Sequence, residues 1–265
     1  MQETKKDCLM VAENTIASLS VLSILGDRNE QQDDYGFLLP SDECLVVVAD
    51  GMGGLESGSI ASETAVKEFL SDYNEKKPVE NPTEFLFDAT NNANGSVCAL
   101  TSATGLPLGA GTTLTAVFVK NGCLNWNSVG DSRIYLWRKG EFVQLTKDQN
   151  YKAVLDSQLA TGSITFSEYN EEIIRGDALI SYLGVDTECL IDRNLSPLSL
   201  KSDDRIILMS DGLYKLLSDN EISAILGSSQ SVKEIAVMLE KQAQSNSINK
   251  RKKRDNMTVA VLKIK

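Results

Sequence analysis

The chain has 265 residues, of which 42% are hydrophobic, and carries a formal net charge of -11. This length and apolar content predict one folded domain with a sizeable core rather than a disordered chain, and the acidic balance argues against a nucleic-acid or anionic-membrane surface. The absence of histidine excludes Ser-His-Asp and Cys-His catalysis as well as any histidine-ligated metal.

The five cysteines are scattered and form no CxxC pair, which indicates neither a disulfide framework nor a zinc knuckle. The first residues are polar, and no apolar run has the length of a signal peptide or a membrane span. We therefore expect a cytoplasmic, monomeric protein with reduced cysteines. Residues 1–265 are interpreted as a single domain in which residues 1–15 form a flexible or additional N-terminal segment.

Apolar and β-branched residues between positions 15 and 39 predict two strands joined by the polar segment 26–34. Arg28, Gln32 and Asp33 lie in this connection, which taken alone is typical of a solvated loop. The uninterrupted apolar run 45–49 suits a strand buried on both faces, and it is followed by Asp50 and Gly51. Taken alone, Asp-Gly is more typical of a hairpin turn than of a metal site.

Two helices are predicted next, one capped by Ser59 and ended by Pro78, the other following Pro82. The β-rich run 112–119 and the turn Asn121-Gly122 then predict an antiparallel hairpin. Alternating residues continue the strands to about position 145. This meander does not match the βαβ alternation of a nucleotide-binding fold.

The strand pattern stops between positions 149 and 184, and we interpret this segment as a small mobile flap beside the sheet. Strands are predicted again at 189–192 and 205–210, and helices at 214–217, 221–226 and 232–244. The basic run 250–254 is interpreted as a solvated loop. A final strand is expected at 259–264.

Three aspartates stand at ends of predicted strands: Asp50, Asp211 and Asp255. Adjacent antiparallel strands would bring such ends together. Converging carboxylates repel one another and have raised pKa values unless a hard divalent cation binds them. A site with only oxygen ligands suits Mg²⁺ or Mn²⁺.

Six short motifs follow one another along the chain. They are Arg28 with Gln32-Asp33, Asp50-Gly51-Met52-Gly53-Gly54 with Gly58, Gly111-Thr112-Thr113, Gly130-Asp131-Ser132-Arg133, Ser210-Asp211-Gly212-Leu213 and Asp255-Asn256-Met257-Thr258. With these motifs in family order, the chain resembles the metal-dependent protein phosphatase family, the protein phosphatase 2C-like serine/threonine phosphatases, in particular their bacterial form. The resemblance covers about residues 18–264.

This resemblance implies an α+β fold, namely a four-layer αββα sandwich of two antiparallel β-sheets flanked by helices, with the flap as a small subdomain. It also implies two Mn²⁺ or Mg²⁺ ions. Asp50 would bridge them, the Gly51 carbonyl would bind one, and Asp211 and Asp255 would bind the other. Asp131, with Asp211, matches a third metal site.

The implied reaction is metal-dependent hydrolysis of phosphoserine and phosphothreonine in proteins, by a water or hydroxide that bridges the two ions. Arg28 would be a catalytic residue that holds the substrate phosphate through bidentate hydrogen bonds. Gln32, Asp33 and Asn256 would surround the metal ligands as outer contacts. The substrate would be a phosphoprotein, and the enzyme would oppose a serine/threonine kinase.

The chain departs from the family pattern at two positions. Gln32 stands where the family usually has glutamate, and Leu55 stands where histidine often follows the glycine pair. These departures leave an alternative open: a catalytically weak or inactive pseudophosphatase that acts as a phosphoprotein-binding or regulatory module. A further alternative is a structural sandwich whose aspartates are only turn residues.

Overall fold

The fold was obtained as a computed structural model, which describes residues 7–53 and 57–265. Two antiparallel sheets lie face to face, and helices cover the outer face of each. Within the described ranges, no helix is both long and apolar enough to cross a bilayer. The predicted four-layer αββα sandwich is confirmed.

Among the described residues, the first sheet has six strands, and every neighbouring pair in it is antiparallel. In spatial order they are β1 (Cys8–Glu13), β2 (Ala17–Ile24), β13 (Met257–Ile264), β12 (Arg205–Met209), β8 (Arg133–Arg138) and β9 (Glu141–Gln144). Within the segment 1–15, β1 is therefore an edge strand, paired with β2 along its whole length.

In the part of the chain that the structure describes, the second sheet has seven strands, and five of them form one continuous hydrogen-bonded series. In spatial order these are β10 (Asp192–Arg193), β7 (Cys123–Val129), β6 (Leu114–Lys120), β4 (Glu43–Met52) and β3 (Asp33–Leu38). Two short strands complete it, since β11 (Leu198–Ser199) pairs with β7 and β5 (Gly111–Thr112) pairs with β4.

Strand β4 is buried on both faces, as its apolar run predicts. Leu45, Val47 and Ala49 face the helical layer, whereas Val46 and Val48 face the first sheet. This strand therefore links the core between the two sheets with the core under the helices. Packing on both faces fixes the position of the strand up to Ala49, directly before Asp50.

The interpretation of Asp50 and Gly51 as a turn was wrong. The strand continues to Met52, and only its partner changes. Up to Val48 it pairs with β6, and then Gly51 and Met52 pair with the residues of β5. Asp50 is consequently held in extended backbone rather than at the tip of a hairpin.

Two long helices cover the second sheet, α1 (Ser57–Lys76) and α2 (Pro82–Cys98). Asn81 caps α2 by accepting from the Glu84 backbone N–H, and Pro82 takes the first turn, where its missing N–H costs nothing. Beneath these helices, the ring centroid of Phe85 lies 5.9 Å from Phe69, 6.1 Å from Tyr73 and 5.8 Å from Phe118.

The first sheet is covered by α5 (Asp211–Tyr214), α6 (Asp219–Leu226) and α7 (Val232–Lys250). Capping boxes start α6 and α7, formed by Ser218 with Glu221 and by Ser231 with Glu234. Helix α7 continues beyond its predicted end at position 244. It ends where Arg251 adopts a left-handed conformation with φ 51°.

The segment 149–184 contains α3 (Tyr151–Ala160), α4 (Phe166–Glu172) and a 3₁₀ turn at Ile173–Arg175. Its far end returns to the second sheet, where Leu183 bridges to Thr112. The helical content of this segment agrees with the sequence. Its mobility and its role as a flap subdomain stay predictions.

Candidate active site

The three aspartates that the sequence places at strand ends come from both sheets. Asp211 begins α5 directly after β12, and Asp255 precedes β13, the antiparallel neighbour of β12. Asp50 lies near the end of β4 in the facing sheet. The expectation that adjacent strands bring all three together was therefore incomplete, because the third carboxylate arrives across the sandwich.

A fourth carboxylate, Asp33, lies directly opposite Asp50 in the β3–β4 pair, so both side chains leave the same face of the sheet. Asp33 is 2% exposed. Ser210 Oγ donates to its Oδ2 over 2.7 Å, whereas its Oδ1 has no hydrogen-bond partner among the described residues. Burial, only partly opposed by the Ser210 hydrogen bond, raises the pKa of Asp33 to about 7.

Asp50 is the carboxylate on which the negative charges of the other four act. Burial is the largest cause that raises its pKa well above the usual range, and the negative charges of Asp33, Asp211, Asp131 and Asp255 add to it. A carboxylate in such surroundings needs a positive partner to remain ionised without cost.

Asp131 follows β7 and is 5% exposed. Asn150 Nδ2, from the residue that caps α3, donates to Asp131 Oδ2 over 3.1 Å. Burial raises the pKa of Asp131, the Asn150 hydrogen bond opposes the rise, and the Asp211 charge adds to it. The first helix of the segment 149–184 is thus attached to the carboxylate group.

Among the described residues, Asp255 and Asp211 each form an ion pair with a basic side chain. Arg28 Nη2 lies 2.5 Å from Asp255 Oδ2, and Lys215 Nζ lies 2.7 Å from Asp211 Oδ2. Burial nevertheless raises the pKa of Asp211, against the effect of Lys215. In the described part of the chain, no three cysteine, aspartate or glutamate side chains are placed so that they could hold one metal ion together. Metal binding would require Asp211 and Asp255 to exchange these partners for the ion.

The backbone around Asp50 is fixed by hydrogen bonds. Asp50 N–H donates to Thr113 Oγ1 over 3.0 Å, and Thr113 N–H donates to the Asp50 carbonyl over 2.8 Å. Gly51 N–H donates to the Gln32 carbonyl over 3.0 Å. A Cβ at Gly51 would lie 2.1 Å from the Gly58 carbonyl oxygen, so only glycine fits where α1 approaches the strand.

Asn256 connects the segment that carries Arg28 to the start of β13. Its Nδ2 donates to the carbonyls of Leu25 and Glu30 over 2.9 and 3.0 Å, and its Oδ1 accepts from Gln32 N–H over 2.9 Å. Gln32 thus contributes through its backbone, while its side-chain amide packs against Gly58. The other departure from the family pattern, Leu55, lies outside the described residues.

Sequence reasoning missed the roles of three residues that contact this group. Ser210 belongs to a motif, but nothing in the sequence indicates that its hydroxyl binds Asp33. Lys215 follows Asp211 by one helical turn, a spacing at which an ion pair is expected. Asn150 carries no local signal, because it reaches Asp131 from a separate segment of the chain.

The side chains present fit a hard divalent cation. Carboxylate and carbonyl oxygens are the ligands that Mg²⁺ and Mn²⁺ prefer. Asp33 Oδ1 is buried and has no partner among the described residues, and burial together with neighbouring carboxylates raises the pKa values of Asp50 and Asp131. A cation would compensate both features.

Comparisons with known proteins agree with this geometry. Residues 25–251 match the family described as Protein phosphatase 2C. The serine/threonine phosphatase stp of Listeria monocytogenes serotype 4b is 30% identical over 240 residues, which cover 89% of this chain and 90% of that protein.

Solved structures of serine/threonine phosphatases share the fold. The serine/threonine phosphatase of S. agalactiae gives a TM-score of 0.80 at 25% identity and covers 94% of this chain and 100% of that one. The catalytic domain of the serine/threonine protein phosphatase PstP, in complex with two manganese ions, gives a TM-score of 0.74 at 27% identity, over 94% of this chain and 98% of that one. The chain belongs to the protein phosphatase 2C family and is a protein serine/threonine phosphatase, as the sequence predicted.

Proposed function

We propose that this phosphatase hydrolyses phosphoserine and phosphothreonine in proteins at the carboxylate-lined end of the sandwich, with divalent cations held by its aspartates. The observation that carries the proposal is the meeting of Asp50, Asp211 and Asp255 from two facing sheets, beside the buried Asp33. A structural role alone would not favour this many buried like charges. The pseudophosphatase alternative receives no support from relatives that are named as phosphatases.

We propose the set of ligands that the resemblance to the family implies. Asp50 is proposed to bridge two ions, the Gly51 carbonyl to bind one of them, and Asp211 and Asp255 to bind the other. Asp131, with Asp211, would hold a third. Mn²⁺ or Mg²⁺ fits these oxygens, and the two manganese ions of the PstP catalytic domain favour Mn²⁺. When bound, the ions would supply an activated water and offset negative charge on the phosphoryl oxygens.

Arg28 is proposed to hold the substrate phosphate. Its side chain is 56% exposed and reaches Asp255 through one terminal nitrogen, which leaves further N–H donors available. The planar guanidinium can donate two parallel hydrogen bonds to a phosphate, whereas a lysine ammonium acts as a point charge. Asn256 would keep the Arg28 segment in place, and Gln32 and Asp33 would support the ligands from behind.

The proposal also includes a biological setting. The substrate would be a protein phosphorylated by a serine/threonine kinase, and the enzyme would act as a cytoplasmic monomer in signal transduction. The segment 149–184 is proposed to act as a flap that tunes substrate access, since its first helix begins at the residue that binds Asp131.

Hydrolysis of a small aryl phosphate and of a phosphothreonine peptide, with and without Mn²⁺, tests the proposal. The wild type is compared with Asp50→Asn and Asp211→Asn, and with Asp42→Asn, an exposed aspartate in the β3–β4 hairpin, as a control. We expect turnover that requires metal, persists in the control and is lost in the two site variants. Turnover that needs no metal, or that survives Asp50→Asn unchanged, would contradict the assignment.

A further inference from the structure

A strongly basic loop adjoins the proposed metal site in a chain whose net charge is -11. Five consecutive basic residues occupy positions 250–254. The sequence interpretation as a solvated loop gives this run no function. In the structure it leads from the end of α7 directly to Asp255.

A cavity of about 300 Å³ opens between this loop and α5. Its positive lining comes from Lys215, Lys252 and Lys253, and its negative lining from Asp177 and Asp255. The cavity therefore shares a wall with a proposed metal ligand, and an occupant would lie next to the reacting phosphate.

Some charged side chains of this cavity already form ion pairs, whereas others are available to bind a ligand. Lys215 Nζ lies 2.7 Å from Asp211 and 2.9 Å from Asp177, so it is already paired. Asp255 is paired with Arg28. Lys252 and Lys253 are both exposed, and neither forms an ion pair with another residue in the described part of the chain. The unbalanced charge of the cavity is therefore positive.

The backbone of the loop is held at both ends. Lys252 N–H donates to the Ser247 carbonyl over 3.0 Å, and Ser247 Oγ donates to the Lys252 carbonyl over 2.5 Å. Arg254 N–H donates to Asp27 Oδ2 over 2.9 Å, and Asp27 N–H donates to the Arg254 carbonyl over 3.0 Å. Because the backbone is fixed, only the lysine side chains have to become ordered on binding.

The same contacts join the loop to the segment that carries Arg28. A Cβ at Gly26 would lie 2.3 Å from the Asp255 carbonyl oxygen and 2.9 Å from that of Arg254. Gly26 also has a positive φ of 69°, which favours glycine. Arg28 and the two free lysines are thus carried by backbone segments in direct contact.

We propose that Lys252 and Lys253 bind an acidic group of the substrate, a carboxylate or a second phosphate close in sequence to the phosphoresidue that is hydrolysed. The inference rests on the proposed function, because Arg28 must hold the reacting phosphate for its neighbours to reach the lysines. An ammonium group attracts either anion as a point charge. The phosphatase would thereby select acidic or multiply phosphorylated sites, even though its overall charge repels them.

The test compares kcat/KM for three phosphothreonine peptides that carry aspartates, asparagines or a second phosphoserine beside the phosphothreonine. We expect the wild type to prefer the two anionic peptides over the asparagine peptide by about three- to tenfold. The preference should weaken as ionic strength rises, because exposed charges are screened.

Two double variants, each of which removes two positive charges, test whether the preference for anionic peptides depends on the cavity lysines. Lys252→Gln with Lys253→Gln should lose the preference, whereas Lys233→Gln with Lys241→Gln, at exposed positions of α7 outside the cavity, should keep it. Turnover of a small aryl phosphate should stay at the wild-type level in both, since this substrate has no flanking residues.

Equal wild-type rates on the aspartate and asparagine peptides would overturn the inference. A Lys252→Gln, Lys253→Gln variant that kept the wild-type preference would overturn it as well. A wild type that fails to hydrolyse even the aryl phosphate with Mn²⁺ would instead overturn the proposed function, so the two failures are distinguishable.

Discussion

Replacing Asp50 with asparagine is expected to stabilise the metal-free protein and to abolish its stabilisation by metal. Asparagine keeps the shape of the side chain but removes its charge. The Asp50 carboxylate lies opposite Asp33 across the β3–β4 pair, and burial together with neighbouring carboxylates raises its pKa. At neutral pH this raised pKa means that the ionised carboxylate opposes folding.

The expected gain in the stability of the metal-free protein can be estimated from these surroundings. Like charges directly opposite in a sheet, here partly removed from water, cost about 1–2 kcal/mol. For a chain of this length, a gain of that size raises the melting temperature by about 2–6 °C. Mn²⁺ at about a hundred times its dissociation constant would stabilise the wild type by about 2.7 kcal/mol for each ion that Asp50 helps to bind, and Asp50→Asn would lack this gain.

Thermal unfolding followed by circular dichroism, in EDTA and in Mn²⁺, measures both effects. The order of stability should reverse: Asp50→Asn melts above the wild type in EDTA and below it in Mn²⁺. The exposed-aspartate variant Asp42→Asn should follow the wild type in both conditions. A lower melting temperature for Asp50→Asn in EDTA, or an equal gain from Mn²⁺ in both proteins, would refute the reasoning.

Four further changes test other parts of the molecule. Phe85→Ala, in the centre of the aromatic cluster, should lower the free energy of unfolding in denaturant titrations by about 3–5 kcal/mol. Gly95→Ala in α2 should raise it by about 0.5–1 kcal/mol, because a Cβ there meets no atom within 4 Å. The pKa of Glu221 is lowered to about 2, first by its hydrogen bond from Asn246, so its stabilising effect should fade as the pH falls from about 4.5 towards 2, and Glu221→Gln should lack this pH dependence. Arg28→Lys should lower kcat/KM for an aryl phosphate about tenfold, because lysine cannot form the bidentate contact.

Each of these four predictions has an outcome that would contradict it. Phe166→Ala, at a side chain 69% exposed on α4, should barely alter stability, and an equal loss there would show that the Phe85 result is not specific. A destabilised Gly95→Ala would contradict the open space around that position. Parallel pH profiles for the wild type and Glu221→Gln would contradict the Glu221 account, and full activity of Arg28→Lys would remove Arg28 from phosphate binding.

The fold could be predicted well where a local pattern coincides with burial. The run through Val46 and Val47 is apolar throughout, and the strand it forms is buried on both faces. Local patterns failed where distant residues decide the conformation. The Asp50-Gly51 pair remains extended because the two residues of β5 pair with the end of the strand, and α7 continues past position 244 because Asn246 donates to the Leu216 carbonyl over 3.0 Å.

In the site as well, local sequence patterns could be read, but contacts between distant residues could not. Asp50, Asp211 and Asp255 could be selected from sequence because each follows or precedes an apolar strand. Their partners were harder to predict. The i,i+4 spacing allows Lys215 to pair with Asp211, but other lysines have similar spacings from acidic residues, and Asn150 reaches Asp131 from another segment of the chain. Short polar side chains carry no periodicity, and only the folded chain shows which carboxylate they contact.

Counting the bound metal tests the central claim most directly. Equilibrium dialysis against Mn²⁺, followed by elemental analysis, should give at least two ions per wild-type chain at saturation, while Asp50→Asn binds two ions fewer at the same free concentration. A wild type that binds no Mn²⁺, or an Asp50→Asn variant that binds as much as the wild type, would contradict the proposal that Asp50 is the shared ligand of a two-ion phosphatase site.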